Sequence, residues 1–418
     1  MAQFDLGSEH LPNSLHNAHE KSTCDASNDP VSCLKQILLR WSFPKFNGTG
    51  PSSRGGHSAV LIDEFLLLFG GQYLGPNGKF VYLNDLHCLN LTTSTWEASN
   101  GLNIPNAPAP RYFHSATVMF SAKSQRPTMY LFGGKGEGNT IHRDMFSFDL
   151  IERKWTEVQW TGQTPKARFG HSACGIKDSS KLLIFGGWDG KFSMNDAWIF
   201  DTVHLVWTYV EASGPIPSPR QNHSMIAVQS TRTLLLFGGY TVTGEDLPAF
   251  NRDVYTLDTD TNTWSRPRLT GEPPIGTFGQ TICCIGDYVI TVGGWYGMDD
   301  CALFTGDRQV REIKKNIKMD DEAMNRLKRS QEGSNESASD DGLSHKKRLE
   351  LTLRQKCDNV RALNIPAMRW QRVTSRGKAV GNRYGHSCTV VGPHLFFFGG
   401  WDGAFALNQL VVAELEFK

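Results

Sequence analysis

A short pattern of chemically capable side chains, Arg-x-x-His-Ser, recurs five times along this chain of 418 residues. Its arginines are Arg54, Arg111, Arg168, Arg220 and Arg383. A guanidinium group stays charged at physiological pH and binds a carboxylate through two parallel hydrogen bonds. The arginines are therefore candidates to bind an acidic group. Because the same slot recurs, a structural role shared by all copies is the alternative.

Five histidines accompany the arginines and raise the question of a metal centre. They are His57, His114, His171, His223 and His386. Metal ligands must converge at about 2.1 Å from the ion, whereas equivalent slots of separate repeats lie far apart. We therefore favour buried groups that hold the start of a strand by hydrogen bonds, and we predict no metal ion and no cofactor.

Longer repeats position these side chains. Each contains a hydrophobic run that ends in Gly-Gly, then an Asp, then a Trp. The glycine pairs are residues 70–71, 133–134, 186–187, 238–239, 293–294 and 399–400. The step from Asp to Trp is eleven residues in four repeats, starting at Asp85, Asp144, Asp196 and Asp253. Short runs of β-branched and aromatic residues bounded by glycines indicate strands. Repeats of roughly 50 residues with this pattern indicate a β-propeller.

The two ends of the repeat array test the number of blades. Each repeat supplies four short strands, and the fourth strand carries the Trp. The last repeat, which contains Arg383, reaches Lys418 without a Trp. Trp41 lies thirteen residues before Arg54, at the usual spacing, and supplies the missing strand. We predict six blades, with an N-terminal strand that closes the last blade and leaves no open sheet edge at the seam.

From Trp41 to Lys418 these motifs resemble the kelch-repeat family. The resemblance implies an all-β fold, a six-bladed kelch β-propeller of the kelch domain-containing type without a BTB domain. We predict a disordered N-terminal leader at residues 1–33 and the propeller at residues 34–418. A charged, partly helical insertion in blade five is predicted at residues 307–365.

Two sets of loops vary from repeat to repeat, one after each Gly-Gly pair and one after each Arg slot. In propellers of the resembled family both sets share one face, here called the loop face, where related proteins grip a short peptide or a chain terminus. Aromatic and Arg side chains are typical of protein-binding hot spots. The candidate partner-binding residues are Tyr73, Arg111, Tyr112, Arg168, Phe169, Trp188, Asp189, Arg220, Tyr240, Trp295, Tyr296, Arg383, Tyr384, Trp401 and Asp402. For single rings, the alternative is that they cap blade ends.

Blade five departs from the pattern in two ways. Thr277, Gln280 and Thr281 replace the Arg, His and Ser, through drift or to form an asymmetric patch. Seventy residues, instead of eleven, separate Asp300 from Trp370. With Asp300 in the Asp slot, the insertion joins the third and fourth strands and emerges on the face opposite the loop face.

The insertion is rich in charge and contains two segments of near-helical periodicity, residues 308–328 and 346–363. Between them lies a polar linker in which Ser337 and Ser339 precede acidic residues, a pattern typical of acid-directed kinase sites. We expect either a docking arm for a second partner or a tolerated surface loop.

A motif near the end of the insertion suggests an alternative function. Thr352, Leu353 and Cys357 resemble the box by which some substrate receptors bind the elongin adaptor. Asp358 and Arg361 stand where apolar residues are usual, which weakens the resemblance. The alternative is therefore a substrate receptor of a cullin-type ubiquitin ligase.

Composition limits the compartment and the partners. The formal charge is +1, from 43 basic and 42 acidic residues, so no global field favours nucleic acid or an anionic membrane. Nine cysteines without a CxxC pair, and no secretory signal, indicate reduced thiols. We expect a monomer in the cytoplasm or the nucleus.

Propellers also host enzymes, so the fold by itself excludes no catalysis. The chain lacks a sialidase Asp-box, the iron triad of specifier proteins, and P-loop, Rossmann or zinc-site spacings. We predict no enzymatic activity and keep a glycan-directed propeller enzyme as a third alternative. The favoured function is a non-enzymatic interaction scaffold that binds a peptide or protein on the aromatic, Arg-lined loop face.

Overall fold

Six β-sheets follow one another along the described residues as the blades of a propeller; four are antiparallel throughout, and the last two add one parallel edge strand each. The computed structural model describes residues 36–97, 104, 106–120, 126–242, 249–296, 360–378 and 380–418. The leader predicted at 1–33 and most of the predicted insertion lie outside these residues. The described residues contain one short helical turn, Glu137–Asn139, and no helix with the length and apolar content to cross a lipid bilayer.

The first three blades each contain four strands in sequence order, from the inside outward. Blade one comprises Ser58–Ile62, Phe65–Leu74, Phe80–Asn90 and Thr95–Trp96. Blade two comprises Ser115–Phe120, Pro127–Phe132, Met145–Asp149 and Lys154–Glu157. Blade three comprises Ser172–Gly175, Lys181–Trp188, Ser193–Asp201 and Val206–Tyr209.

The last three blades carry additions to the same plan. Blade four comprises Ser224–Ala227, Thr233–Phe237, Val254–Asp258 and Thr263–Ser265, with a ribbon of Tyr240–Thr241 and Ala249–Phe250. Blade five comprises Thr281–Ile285, Tyr288–Val292, Arg361–Asn364 and Arg369–Arg372, edged by Thr270–Gly271. Blade six comprises Ser387–Val391, His394–Phe398, Leu410–Phe417 and Ile37–Ser42, edged by Thr374–Arg376.

The first described strand closes the ring. Ile37–Ser42 pairs antiparallel with Leu410–Phe417 over six residues, and Trp41 stands opposite Ala413. The backbone of Gln36 adds two hydrogen bonds to Lys418, at 2.8 and 2.9 Å. The predictions of six blades and of an N-terminal strand in the last blade are both confirmed.

A buried hydrophobic cluster fills each of the six junctions between neighbouring blades. The repeated Trp spans such a junction. Trp155, for example, lies 5.0 Å from Phe148 of its own blade and 5.0 Å from Phe69 of the preceding blade. Since a large ring buried between two sheets contributes to both, the Trp slot is what stacks each blade on the one before it.

A closed ring of six backbone hydrogen bonds surrounds the propeller axis. In each blade the residue two positions after the Arg slot donates its N–H to the equivalent carbonyl of the preceding blade, at 2.6 to 2.9 Å. The ring consists of Gly56, Phe113, Gly170, Asn222, Gly279 and Gly385. All six have φ between 49° and 68°, a region that favours glycine. A cavity of about 120 Å³ lies against this ring, lined by the repeated histidines.

The insertion in blade five leaves the fold at a different place from the one predicted. The second strand is Tyr288–Val292 and the third is Arg361–Asn364, so the extra residues join the second and third strands. They therefore depart on the same side as the loop face, not the opposite side. Asn359, eleven residues before Trp370, holds the slot that the spacing had suggested for Asp300. The helix predicted at 346–363 is wrong for its last three residues, which belong to the third strand.

Candidate functional site

The two variable loop sets meet on one face, as predicted. In every blade the residue after the Arg slot and the residue after Gly-Gly exchange two backbone hydrogen bonds. The pairs are Gly55 with Gln72, Tyr112 with Lys135, Phe169 with Trp188, Gln221 with Tyr240, Phe278 with Trp295, and Tyr384 with Trp401. Each pair extends the inner strands of its blade, so the side chains of the loop face sit on a fixed backbone.

Aromatic rings on this face contact one another in two groups. In the first group, Tyr112 lies 5.7 Å from Tyr82 and 6.1 Å from Phe169, measured between ring centroids. The second group surrounds Phe278 and contains Tyr240, Phe250, Tyr384 and Trp295, with neighbouring centroids 4.9 to 6.0 Å apart. These rings are partly exposed. Like these rings, the candidates Tyr73 and Trp188 are partly exposed, but no ring contact joins either residue to a group within the described residues.

The arginines of the repeated pattern lie inside the blades, not on the loop face. The side chains of Arg54, Arg111, Arg168 and Arg220 are 0% exposed. Each donates two hydrogen bonds to an Asp of its own blade and one to the carbonyl of the first glycine of the pair. The aspartates are Asp85, Asp144, Asp196 and Asp253. For Arg111, Arg168 and Arg220 full burial and pairing with a carboxylate favour this structural role over the predicted role in partner binding.

The guanidinium groups help to lower the pKa values of two of these carboxylates. Burial opposes ionisation of Asp196, but hydrogen bonds and charge from Arg168, together with a bond from the Trp198 indole, outweigh it and lower its pKa. Burial likewise opposes ionisation of Asp85, and bonds from His87 and Arg54 bring its pKa below the usual range. Both aspartates are therefore ionised throughout the physiological range and act as fixed counter-charges.

Arg383 differs from the other four arginines. Its Nη1 donates to the carbonyl of Gly399 at 3.0 Å and its Nη2 to Oε1 of Gln409 at 3.2 Å. Gln409 occupies the position that an Asp holds in the other four blades, so the partner is neutral. Burial lowers the pKa of Arg383 to about 10, against an opposing effect of the charge of Asp402. Among the candidate arginines, Arg383 is the one whose slot supplies no carboxylate.

The five histidines tie neighbouring blades together. The Nε2 atom of each lies 2.7 to 2.9 Å from a hydroxyl oxygen of the preceding blade. The pairs are His57 with Ser387, His114 with Ser58, His171 with Ser115, His223 with Ser172, and His386 with Thr281. Burial lowers the pKa of all five rings, to about 3 for His57 and His171. Within the described residues no three metal-binding side chains converge.

The changed slots of blade five keep the contact between blades. The Gln280 amide donates to the carbonyl of Phe237 in blade four at 3.0 Å, and Thr277 donates to the Gln280 Oε1 at 3.1 Å. Ser224 of blade four donates to the Gln280 carbonyl at 2.8 Å. These contacts favour drift at a structural position over an asymmetric binding patch.

Two of the predicted aromatic candidates are buried. Tyr296 is 0% exposed, and its hydroxyl accepts a hydrogen bond from Asn382 at 2.8 Å. Trp401 is 8% exposed, because its indole lies against Gly55, where an added Cβ atom would come within 2.2 Å of the ring. The predicted partner-binding role of these two rings is replaced by packing.

Asp189 and Asp402 shape two turns that present exposed phenylalanines. The sequence Trp-Asp-Gly-x-Phe occurs in blades three and six, and in each the Asp Oδ1 accepts two backbone N–H groups of the turn, at 2.7 to 2.9 Å. Phe192 and Phe405 end these turns and are 60% and 58% exposed. We did not predict either residue, although the repeated five-residue pattern marks both. In a six-bladed ring, blades three and six lie opposite each other.

The motif that resembles an adaptor-binding box is only partly within the described residues. Val360, its last aliphatic residue, is 7% exposed and belongs to the hydrophobic cluster between blades five and six. It therefore packs in the propeller and is not presented on a helix surface. Residues 352–359 lie outside the described residues.

Comparisons with known proteins agree with the repeats and the blades. A family model described as the KLHDC2/KLHL20/DRC7 Kelch-repeats domain matches residues 120–310, and one described as the Attractin/LZTR1 beta-propeller matches residues 33–195. The chain belongs to the kelch-repeat family. This kelch propeller is 31% identical over 289 residues to Acyl-CoA-binding domain-containing protein 4 of Arabidopsis thaliana, covering 67% of the chain and 40% of the relative.

Two other relatives match over stretches of different length. Kelch domain-containing protein 3 of Homo sapiens is 31% identical over 218 residues, which cover 50% of this chain and 53% of the relative. Host cell factor of Drosophila melanogaster is 27% identical over 319 residues, which cover 70% of this chain and 20% of the relative. In none of the three relatives does the match reach two thirds of the relative's own length.

Proposed function

We propose that this kelch propeller is a non-enzymatic interaction module that binds a peptide or protein segment on its loop face. The observation that carries the proposal is the set of partly exposed aromatic rings held on paired backbone, flanked by Phe192 and Phe405 on rigid turns. Rigid aromatic side chains lose little conformational entropy on binding and dominate the energy of protein interfaces.

The two phenylalanines are the best anchors on this face. More than half of each side chain is in water, yet the Asp-capped turn already fixes its backbone. Burying such a ring in a partner's pocket contributes roughly 1.5–3 kcal/mol. Because the turns stand on opposite blades, a partner that contacts both must cross the aromatic groups between them.

We propose that an acidic group of the ligand binds the guanidinium of Arg383. It lacks a carboxylate in its own slot, and buried charges are normally paired. A carboxylate that approached Gln409 could replace the amide oxygen as the acceptor of Nη2. The guanidinium groups of Arg111, Arg168 and Arg220 are each already paired with both oxygens of a carboxylate in their own blade.

Quantitative affinity purification with mass spectrometry tests the proposal. The test variant is Phe192→Ser with Phe405→Ser. The matched control is Phe120→Ser with Ile151→Ser, since these side chains are 69% and 68% exposed at the opposite ends of the strands. We expect at least a tenfold loss of one or more specific partners in the test variant and none in the control.

Equal recovery from wild type and the test variant would contradict binding at these anchors. Equal loss from both variants would show that general surface changes, not the loop face, control recovery. A cullin subunit that co-purified with the wild-type protein would instead support the ligase alternative.

A further inference from the structure

A second recess lies beside the loop face where blade four leads into blade five. Its volume is about 500 Å³, within the range of ligand-binding pockets. One wall is the chain from Phe250 to Val254, at the start of the third strand of blade four. The other wall is the segment that leaves the fourth strand, with Pro267, Leu269 and Pro273. We call this recess the blade-four groove.

The groove lining mixes apolar and polar residues, and Arg252 and Arg266 supply its positive charge. Arg266 lines the groove, is exposed, and has its guanidinium carbon 5.8 Å from the Tyr255 ring. Within the described residues no carboxylate lies within ion-pair distance of Arg266 or of its exposed neighbour Arg268. The carboxylate in the groove wall, Asp253, is held by Arg220. The chemistry of the groove therefore suits an extended acidic peptide.

The insertion of blade five contains such a peptide. Residues 332–341 include four carboxylates and no Lys or Arg, whereas the rest of the insertion is rich in basic residues. The four are Glu332, Glu336, Asp340 and Asp341. We propose that residues 332–341 of this chain dock in the blade-four groove, with their carboxylates on Arg266.

The exit point of the insertion places this segment within reach. The last described residue before the insertion, Tyr296, follows Trp295, whose ring is 5.1 Å from Tyr384. From Tyr384 the rings continue to Phe278 at 5.5 Å and to Phe250, in the groove wall, at 6.0 Å. Asp341 lies nineteen positions before Val360, and a chain of that length can span up to about 65 Å when extended. The connecting chain is therefore much longer than the path to the groove.

Docking in cis makes the groove a self-occupied site for acidic ligands. An acidic segment of another protein must compete with residues 332–341. Because these residues are tethered to the groove, their effective concentration is high and the external segment binds more weakly. Phosphorylation of Ser337 or Ser339 adds negative charge to the segment and tightens its docking. This inference concerns a different surface from the aromatic loop face and does not depend on the function proposed for that face.

A competition experiment with the full chain tests the proposal. The probe is a fluorescent synthetic peptide of residues 331–343, measured by anisotropy in 50 mM salt. The receptors are wild type and a variant with Glu332→Gln, Glu336→Gln, Asp340→Asn and Asp341→Asn. We expect the neutralised variant to bind the peptide at least ten times more tightly than wild type, because its own segment no longer competes.

Additional substitutions in the neutralised variant locate the site. Arg266→Gln and Arg266→Glu are expected to weaken peptide binding at least tenfold, whereas Lys154→Glu, an exposed change on blade two, leaves it unchanged. Circular dichroism confirms that each variant is folded. Salt at 0.5 M should reduce the affinity, since it screens exposed charges. Equal affinity of wild type and the neutralised variant, no binding to either, or indifference to both Arg266 changes overturns the proposal.

Discussion

The ion pair between Arg168 and Asp196 offers a direct test of what holds a single blade together. The guanidinium is 0% exposed and the carboxylate 26% exposed, with two hydrogen bonds of 2.8 Å between them. Asp196→Asn keeps the size of the side chain and one acceptor oxygen but removes the negative charge. The substitution thus leaves a buried cation with only neutral partners, as Arg383 has in blade six.

The expected cost follows from burial. Removing one partner of a buried ion pair costs about 3–5 kcal/mol, and because the carboxylate is partly in water we expect about 3 kcal/mol for Asp196→Asn. The free energy of unfolding is measured by urea denaturation at pH 7, on wild type and variant. The control is Asp149→Asn, at a turn where the side chain accepts only backbone N–H groups from Ile151 and Glu152. There Asn caps equally well, and we expect a change of about 0.5 kcal/mol or less.

The pH dependence provides a second readout of the same pair. The folded-state pKa of Asp196 is lowered, so its contribution to stability is present above the unfolded-state pKa of about 3.9. That contribution disappears as the pH falls through the folded-state pKa. The difference between wild type and Asp196→Asn should therefore be constant near neutrality and shrink below about pH 4. A loss under about 1 kcal/mol at pH 7, or a difference that persists in acid, would refute the reasoning.

Three further outcomes are expected. Gln409→Asp places a carboxylate beside Arg383, as in four other blades, and should raise the midpoint of urea denaturation. If Arg383 binds an acidic ligand, the same substitution should weaken partner binding. A lowered midpoint would contradict the comparison between blades. Trp264→Ala removes a ring that is 1% exposed and should cost about 3–5 kcal/mol in the same assay, whereas a cost below about 1 kcal/mol would deny its role in stacking blades. Burial raises the pKa of the Cys88 thiol to about 12, so iodoacetamide at pH 8 should alkylate it, by mass spectrometry, only after unfolding; rapid labelling of the native protein would show that the strand opens.

Repetition is what made the fold predictable from the sequence. Equivalent slots must do equivalent work, so the spacing of Trp and Gly-Gly was sufficient for the number of blades and for the seam at Trp41. The same logic could have paired each Arg with the Asp of its repeat, since both recur together in four blades. A buried cation requires a counter-charge, and the matched recurrence of Arg and Asp identifies that counter-charge from the sequence alone.

The site was less predictable because exposure depends on neighbours. Tyr296 lies beside Trp295, and Trp401 holds the slot that Trp188 holds in blade three, yet Tyr296 and Trp401 are buried. Asn382 contacts Tyr296, and Gly55 lies against Trp401. Nothing in a residue's own slot reveals what an adjacent blade places against it. The exit of the insertion was predicted wrongly because Asp300 was assigned to the Asp position of the repeat. The eleven-residue spacing to Trp370 assigns that position to Asn359.

The seam at Ile37–Ser42 has a mechanical consequence. Gln36 and Lys418 are hydrogen-bonded to each other at one end of the ladder that joins this strand to Leu410–Phe417. A force that pulled Gln36 and Lys418 apart would act on that end of the ladder. The hydrogen-bonded pairs would then break one after another, and not all at once in shear. The hydrophobic packing of Trp41 against Phe397, 5.4 Å away between ring centroids, lies further along and would resist next. We therefore expect a ring closed in this way to open first at the seam strand.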